Sequence, residues 1–528
     1  MKRLVTLLLV VILLLTCVLS NAEENERLTV WAVESSMISD YSTNGQSAWM
    51  EEQTGIQIDW VSTPKNGWYQ AFQASVMNGD DIDIYLYEFD TSEATMLGCD
   101  MNYLLPLEDY ITPEITPNIC AILEANPEIR ELITAPDGHI YTLFTHGAYD
   151  TAAYKNKMWV NRFFFDKYQQ ETGNGLPQTT KEFEAMLIYF KENDMNGDGE
   201  LNEIPFIGNN GTDGMYNLFG AFLPVNSGNG FGTVFDNEGK LQFCFNQEAY
   251  REGLSYARGL YEQGLISPDS FTISSEERYV YTSGSKTQVR AGVVIAPTVE
   301  QVVQLGNEED AMTYADYIPL APLEGPNGVR TVVTAGETIL SLRNGVTIHC
   351  ENPIHAMKWL DAGYSEDARM YAVYGGVENV DWCFVEGTTL GGDGKAIEAM
   401  HEIGDNSTWS GQGIVYCITE DDYLRMDLKQ LPTNGALVSY QSNLAYRPYA
   451  IQSPWRAIVW PGAYADSAAE YSDIRGLIAP AVTSYYTDVI TGKKNLEGDW
   501  DAYVEELDNM GLARYIELTE LYVAIGEK

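Results

Sequence analysis

LTVWA (Leu28–Ala32), IQIDWV (Ile56–Val61) and IDIYL (Ile82–Leu86) are three short apolar runs, and the 59 residues from Leu28 to Leu86 that contain them decide the fold. Each run is short and rich in β-branched and aromatic residues, which predicts strands buried on both faces. Between the first two lies a helical stretch holding Trp49–Glu52 and stopped by Gly55. Between the second and third, a helix through Trp68–Met77 runs into Gly79-Asp80-Asp81. Strand, helix, strand, helix, strand is the pattern of a parallel sheet covered by helices, an α/β layer. Ligands of such sheets sit beyond the carboxyl ends of the strands, which points to Trp31, Glu34, Tyr87 and Glu88.

Working outward, 528 residues exceed what one hydrophobic core accommodates, so two lobes are expected. A turn at Ala135-Pro136-Asp137-Gly138 and a strand at Ile140–Thr145 end the first continuous piece. A crossing to a second lobe follows through Tyr149–Arg162, the chain returns near Tyr317–Leu323, and it crosses again in Tyr371–Trp382. The expected pieces are 23–145 and 317–370 in the first lobe, 146–316 and 371–480 in the second, and C-terminal helices over 481–528. No repeat at a solenoid period and no long low-complexity linker interrupts this pattern, so the lobes interleave.

DMNGDGELNE (Asp194–Glu203) carries the most specific chemistry in the chain. Asp194, Asn196 and Asp198 stand at loop positions 1, 3 and 5, Gly199 supplies the sharp turn at position 6, and the Glu200 carbonyl stands at position 7. Pro205 occupies position 12, where a bidentate Glu is usual, so Asn202 and Glu203 must close the shell. An all-oxygen set of this kind suits Ca2+ better than zinc or iron. A single loop that stops one helix in a long chain reads as a structural site rather than a sensor.

Composition narrows the function classes. With 31 Lys and Arg against 76 Asp and Glu, the formal charge is −45, and no basic patch relieves it, which argues against nucleic acid as partner. The 11 Trp and 34 Tyr favour a carbohydrate ligand modestly, since Tyr is also a good strand residue. Cys99, Cys120, Cys244, Cys350, Cys383 and Cys417 show no zinc spacing and are open to buried thiols or one or two disulfides. The five His lack ligand spacing, and the nucleophile elbow, the metalloprotease helix, the phosphate loop and the dinucleotide glycine fingerprint are all missing, while a carboxylate pair for sugar hydrolysis, which is defined in space, stays open among the 76 acids. At the N-terminus, Met1-Lys2-Arg3 precedes an apolar stretch Leu4–Leu19 and a small-residue site ending at Ala22, the pattern of an export signal over 1–22. Leu14-Leu15-Thr16-Cys17 offers a second reading, removal of 1–16 with a lipid on Cys17. Either way the chain is expected outside the cell, released or anchored to the outer face of the membrane as a lipoprotein.

The helix-to-strand passage around Thr54-Gly55-Ile56, the stretches Gly79–Asp83, Leu105–Ile111 and Pro136–Tyr141, and later Met158–Arg162, Thr179–Phe183, Leu260–Ile266, Tyr374–Trp382 and Ile490–Gly492 resemble, in order and spacing, bacterial extracellular solute-binding proteins of ABC importers. The branch resembled is the long, LipO-like one, and the likeness spans the mature chain. It implies a periplasmic-binding-protein-like type II fold, two α/β lobes with interleaved segments and a hinge, and a monomer that closes on a solute and passes it to membrane permease subunits. Asp194, Asn196, Asp198, Glu200, Asn202 and Glu203 also fall on the ligand positions of the structural calcium loop in alginate-binding members. An acidic sugar would meet a strongly negative protein, so a neutral oligosaccharide leads. In that reading Trp31, Tyr87, Trp159, Trp382 and Trp455 stack on sugar rings, while Glu34, Glu88 and Glu337 accept hydroxyl hydrogens. A peptide receptor of the same fold, a secreted polysaccharide-active enzyme and a structural surface protein are the alternatives.

Overall fold

In chain order the strands are β1 (Arg27–Val33), β2 (Gln57–Thr63), β3 (Ile84–Phe89), β4 (Thr142–Tyr149), β5 (Lys157–Asn161), β6 (Ile204–Ile207), β7 (Thr233–Phe235), β8 (Leu241–Phe243), β9 (Ala291–Ala296), β10 (Tyr317–Leu320), β11 (Val332–Thr334), β12 (Thr338–Val346), β13 (Trp382–Thr389), β14 (Gly392–Ala399) and β15 (Ala450–Gln452). They come from a computed structural model that describes residues 27–34, 38, 40–155, 157–208, 215–236, 238–336, 338–399, 408–409, 419–454, 460 and 465–525. The export segment with Cys17, and the expected ligand residues Glu337 and Trp455, lie outside the described residues. The chain divides into two compact units. The first takes the chain up to Tyr149, Ile339–Arg425 and a short piece around Trp460; the second takes Asp150–Thr338, Met426–Arg456 and the chain from Ala463 on.

The first unit holds a five-stranded sheet in the order β2-β1-β3-β12-β4. β1 runs parallel to both β2 and β3, with Trp31 opposite Val61 and Tyr85, while β12 is antiparallel to β3 and sets Arg343 opposite Glu88. Helix Gly45–Thr54 begins at Asn44, whose side chain accepts the Gln46 and Ser47 N–H groups, and ends at Gly55 with φ +70°, a left-handed stop that glycine adopts without strain. Asp361, buried at the end of helix Pro353–Ala362, accepts hydrogen bonds from Ile119 N (2.8 Å) and Asn118 Nδ2 (2.9 Å). It thereby caps helix Pro117–Ala125 and ties the unit's two main chain segments together.

The second unit is built on a four-stranded sheet in the order β10-β5-β9-β6, in which β5 is buried along its whole length. Helix Thr180–Glu192 starts in a capping box made by Thr179 and Glu182 and runs into the 194–203 loop. Helix Glu248–Glu262 packs against the long helix Ala465–Ile490 and against Leu496–Asn509, and Leu512–Ile525 completes that layer.

Several expected boundaries move. β10 pairs with β5, so the chain stays in the second unit through Thr338 instead of returning to the first at 317. The 371–425 segment belongs to the first unit, because helix Glu366–Tyr374 packs on helix Gly45–Thr54 and the hairpin β13–β14 follows it directly. The helix expected from Ala481 begins at Ala465 and carries Pro480 inside it, and it joins the second unit rather than a separate block. Cys99, Cys120, Cys244 and Cys350 are free thiols.

Candidate functional site

Three polar clusters remain once the cores are assigned: one beyond the parallel strands of the first unit, one in a pocket of the second, and the 194–203 loop. In the first unit, Glu34 follows β1 and donates its backbone N–H to Thr63 O (2.8 Å). Tyr87 on β3 is half-buried, with its ring packed 4.7 Å from Phe72 and its hydroxyl donating to both oxygens of Glu93 (3.1 and 3.0 Å). Burial and the adjacent Glu93 charge push the Tyr87 hydroxyl above its ordinary pKa, so it stays a donor. Glu88 pairs with Arg343 Nη2 at 2.7 Å, and Arg343 Nε reaches Thr145 Oγ1 at 3.1 Å, which joins β3, β12 and β4 through one guanidinium. Glu93 and Arg343 were not singled out in the sequence. Glu93 carries a local signal, since it closes a capping box with Asp90.

Trp31 and Trp159 are corrections. Trp31 is only 2 % exposed and its ring lies 5.6 Å from Tyr85 and 5.7 Å from Phe72. It sits two residues inside a central strand rather than at its carboxyl end, so both sheet faces around it are covered. Trp159 is 0 % exposed and donates Nε1–H to Ala296 O (2.9 Å). Neither ring offers a face to a sugar. Trp382 is half-buried at the start of β13, with Phe384 edge-on at 5.4 Å.

One pocket of the second unit has a volume of about 250 Å3. Asp150, Lys155, Asn226, Ser227, Thr334 and Ser453 bring most of its polar lining, and Tyr216 and Val332 contribute apolar surface. Its walls are held by backbone. β11 and β15 pair in parallel, Ser453 N donates to Thr334 O (2.7 Å), and Thr334 Oγ1 donates to Ala153 O (3.1 Å). Asn226, 4 % exposed, organises the rim. Its Nδ2 donates to Asn229 O (2.9 Å), Gly230 O (3.1 Å) and Thr233 O (3.1 Å), and its Oδ1 accepts from Gly228 N (3.0 Å). Gly220 lets two segments meet, since a Cβ there would lie 2.4 Å from Thr331 O. A rigid pocket that mixes donors and acceptors with modest apolar area suits a polyhydroxylated ligand. Its residues come from separated stretches of the chain, so no local pattern in the sequence marks it.

The 194–203 loop is folded on itself. Asp194 accepts N–H groups from Gly197 (2.7 Å) and Gly199 (3.0 Å), and Asp198 accepts from Glu200 N (2.8 Å) and Asn202 Nδ2 (2.9 Å). Those bonds, the Asn202 amide first, hold the Asp198 carboxyl below its usual pKa. Gly197 and Gly199 have φ of +76° and +90°. Glu203 Oε1 accepts Met195 N at 2.5 Å, while Glu203 Oε2 and Asn202 Oδ1 are buried with no hydrogen-bond partner. Among the described residues, no three His, Cys, Asp or Glu side chains already converge as a metal shell. Two buried oxygens without donors are nevertheless what a hard cation would satisfy, so the donor set fits Ca2+.

No protein-family model matches the chain. It is 26 % identical over 504 residues, 90 % of this chain and 85 % of the relative, to the fructooligosaccharide ABC transporter substrate-binding protein FusA of Streptococcus pneumoniae, and 28 % identical over 183 residues, 32 % of this chain and 33 % of the relative, to lipoprotein LipO of Bacillus subtilis. Among solved structures, FusA in complex with kestose superposes with a TM-score of 0.66 at 23 % identity, covering 94 % of this chain and 99 % of that one. A second FusA structure is described as an EF-hand mutant. A human-milk-oligosaccharide-binding solute-binding protein from Bifidobacterium longum infantis gives a TM-score of 0.71 at 18 % identity, covering 95 % and 99 %. The chain therefore has the type II solute-binding-protein fold, two α/β lobes with a hinge.

Proposed function

We propose that this chain is the extracellular solute-binding component of an ABC importer and that its solute is a neutral oligosaccharide. The observation that carries the reading is the likeness to a fructooligosaccharide-binding relative along 504 residues, nine-tenths of the chain. The pocket bounded by Asp150, Lys155, Asn226, Thr334 and Ser453 supports it, because hydroxyls need paired donors and acceptors and its walls are braced by hydrogen bonds. A net charge of −45 favours a neutral sugar over an acidic one. Binding is non-covalent: hydrogen bonds hold the hydroxyls, and the solute leaves unchanged to membrane permease subunits. Among the described residues no helix is long and apolar enough to cross a membrane. The N-terminal segment exports the chain, and a lipid on Cys17 would keep it at the membrane.

We also infer a structural Ca2+ at Asp194, Asn196, Asp198, the Glu200 carbonyl, Asn202 and Glu203. The ion would meet the two buried oxygens of Asn202 and Glu203, add no reactive group, and stabilise the folded second unit by linkage.

The test is isothermal titration of the mature protein with neutral fructo-, gluco- and galacto-oligosaccharides, acidic oligosaccharides and short peptides, with mass spectrometry of the sugar afterwards. A neutral oligosaccharide that binds and is recovered intact supports the proposal. Peptide binding alone, or a cleaved sugar, overturns it.

A further inference from the structure

The first unit has an aromatic concavity of its own. It is an open depression of about 440 Å3 lined by Trp49, Tyr371, Trp382 and Phe384, with Gln53 and Arg425 among its polar groups. Trp49 and Gln53 lie in the last turns of helix Gly45–Thr54. That helix starts beyond the carboxyl end of β1 and leads, through Gly55, into the amino end of β2. The Gln53 end of that helix therefore lies toward the amino ends of the strands, whereas Glu34 and Tyr87 lie toward their carboxyl ends.

It is a built surface. Gly376 is needed for it, since a Cβ there would lie 2.4 Å from the Tyr371 ring, so the ring rests directly on the loop backbone. Trp49 meets the same ring at 5.3 Å. The loop leading to Trp382 is fixed by Asp381 Oδ2, which accepts Val377 N (2.8 Å), and by Asn379 N donating to Trp382 O (2.6 Å). Gly375 has φ +95° and Asn379 φ +64°, backbone that is kept only where the fold imposes it.

The charges around it exclude one ligand class. Glu366, Asp367 and Glu378 line the depression, but Glu366 Oε1 lies 3.4 Å from both Arg425 Nη2 and Arg369 Nη2, and Lys395 Nζ sits 5.3 Å from the Phe384 ring. Arg369 is already taken by the buried Asp422, and Asp381 adds a carboxylate beside Gly375, so acids outnumber bases and the surface turns an anion away. Aromatic faces beside an amide, a guanidinium and carboxylates suit a neutral, hydroxyl-rich ring that presents C–H on one side and O–H at its rim.

We propose that this depression is a second sugar-contact site, separate from the pocket of the second unit, with Trp382 and Tyr371 as its stacking residues and Glu378 and Arg425 as hydroxyl partners. The test titrates a fructo-trisaccharide and a gluco-trisaccharide, to 50 mM, into wild type, Trp382→Ala, Gly376→Ala and Asn226→Ala, with circular dichroism to confirm folding. Wild type is expected to bind a second, weaker sugar molecule. Trp382→Ala and Gly376→Ala should each weaken that event at least tenfold and leave the tighter one within twofold, while Asn226→Ala does the reverse. A single sugar per chain, or a second event indifferent to both first-unit variants, overturns the proposal. So does displacement of the second sugar by choline or lysine. Loss of the tighter event in wild type with the second retained would sink the reading of the second-unit pocket and leave this one standing.

Discussion

Replacing Glu203 by Gln separates the two roles of the 194–203 loop. Glu203 Oε1 holds the backbone N–H groups of Met195 and Asn196, at 2.5 and 3.4 Å, and Gln retains a carbonyl oxygen for both. The substitution removes a negative charge from a stretch that also carries Asp194, Asp198 and Glu200, and it takes away the buried Oε2 that has no donor. In chelator the variant should therefore be at least as stable as wild type. In calcium the order reverses. At a free concentration of a hundred times the dissociation constant, an ion bound only by the folded state adds about 2.7 kcal/mol. For a unit of this size that raises the unfolding midpoint by roughly 5–10 °C, at about 2–4 °C per kcal/mol. Thermal unfolding followed by circular dichroism, in EGTA and in millimolar calcium, gives four midpoints. The reasoning requires wild type to gain and Glu203→Gln to gain far less. Equal gains, or no gain for wild type, would refute the metal assignment. Equal losses by the variant in both buffers would make Glu203 a loop brace and nothing more.

Asn226→Ala removes the bonds its amide makes around the rim of the second-unit pocket, about three at once because Nδ2 carries two hydrogens, worth roughly 1.5–4.5 kcal/mol together at about 0.5–1.5 each. Sugar affinity should fall at least tenfold as the 226–232 loop loosens, and a titration at a temperature where the variant is folded checks it. Trp159→Ala and Trp31→Ala should each cost about 3–5 kcal/mol of stability, as buried aromatics do. Measured on the folded fraction, their sugar affinity should match wild type, and a selective loss of binding would return them to the site. Asp361 has its pKa raised, chiefly by burial, so the native state holds this proton more tightly than the unfolded chain. Its contribution is largest below the unfolded carboxylate value of about 3.9 and is lost as pH rises through the raised folded value. Asp361→Asn should flatten that part of the stability profile in chemical denaturation, and a slope unchanged by the variant would count against it.

The features legible in the sequence are those written locally. β1, β2 and β3 and their two helices stand within two or three residues of their expected positions, because buried apolar runs and the glycine stops at Gly55 and Gly79 act over a few residues. The 194–203 loop is equally local: its Asx-turn bonds span two to five residues. Lobe boundaries are not local. Tyr317–Leu320 reads as a strand in either unit, and only its pairing with Lys157–Asn161 assigns it.

Aromatic residues show the limit most sharply. Trp31, Trp159, Trp359 and Trp409 are all core, and Trp60 stacks on Tyr41 at 4.7 Å, so the abundance of Trp that hinted at sugar mainly fills two hydrophobic cores. A strand alternates its side chains without marking which face a ligand will reach, and in a sheet covered by helices both faces are interior. What distinguishes Trp382 from Trp31 is the backbone beside it. Gly376 lets the Tyr371 ring lie against the loop that leads to Trp382, the Asp381 side chain braces that loop at Gly375, and Trp382 at its end is left half-buried rather than enclosed. In the second unit the same logic operates without aromatics. Asn226 spends most of its amide on its own loop and reaches Ser453 Oγ at 3.5 Å, and that braced rim lets hydroxyl-sized donors and acceptors hold their places before a solute arrives.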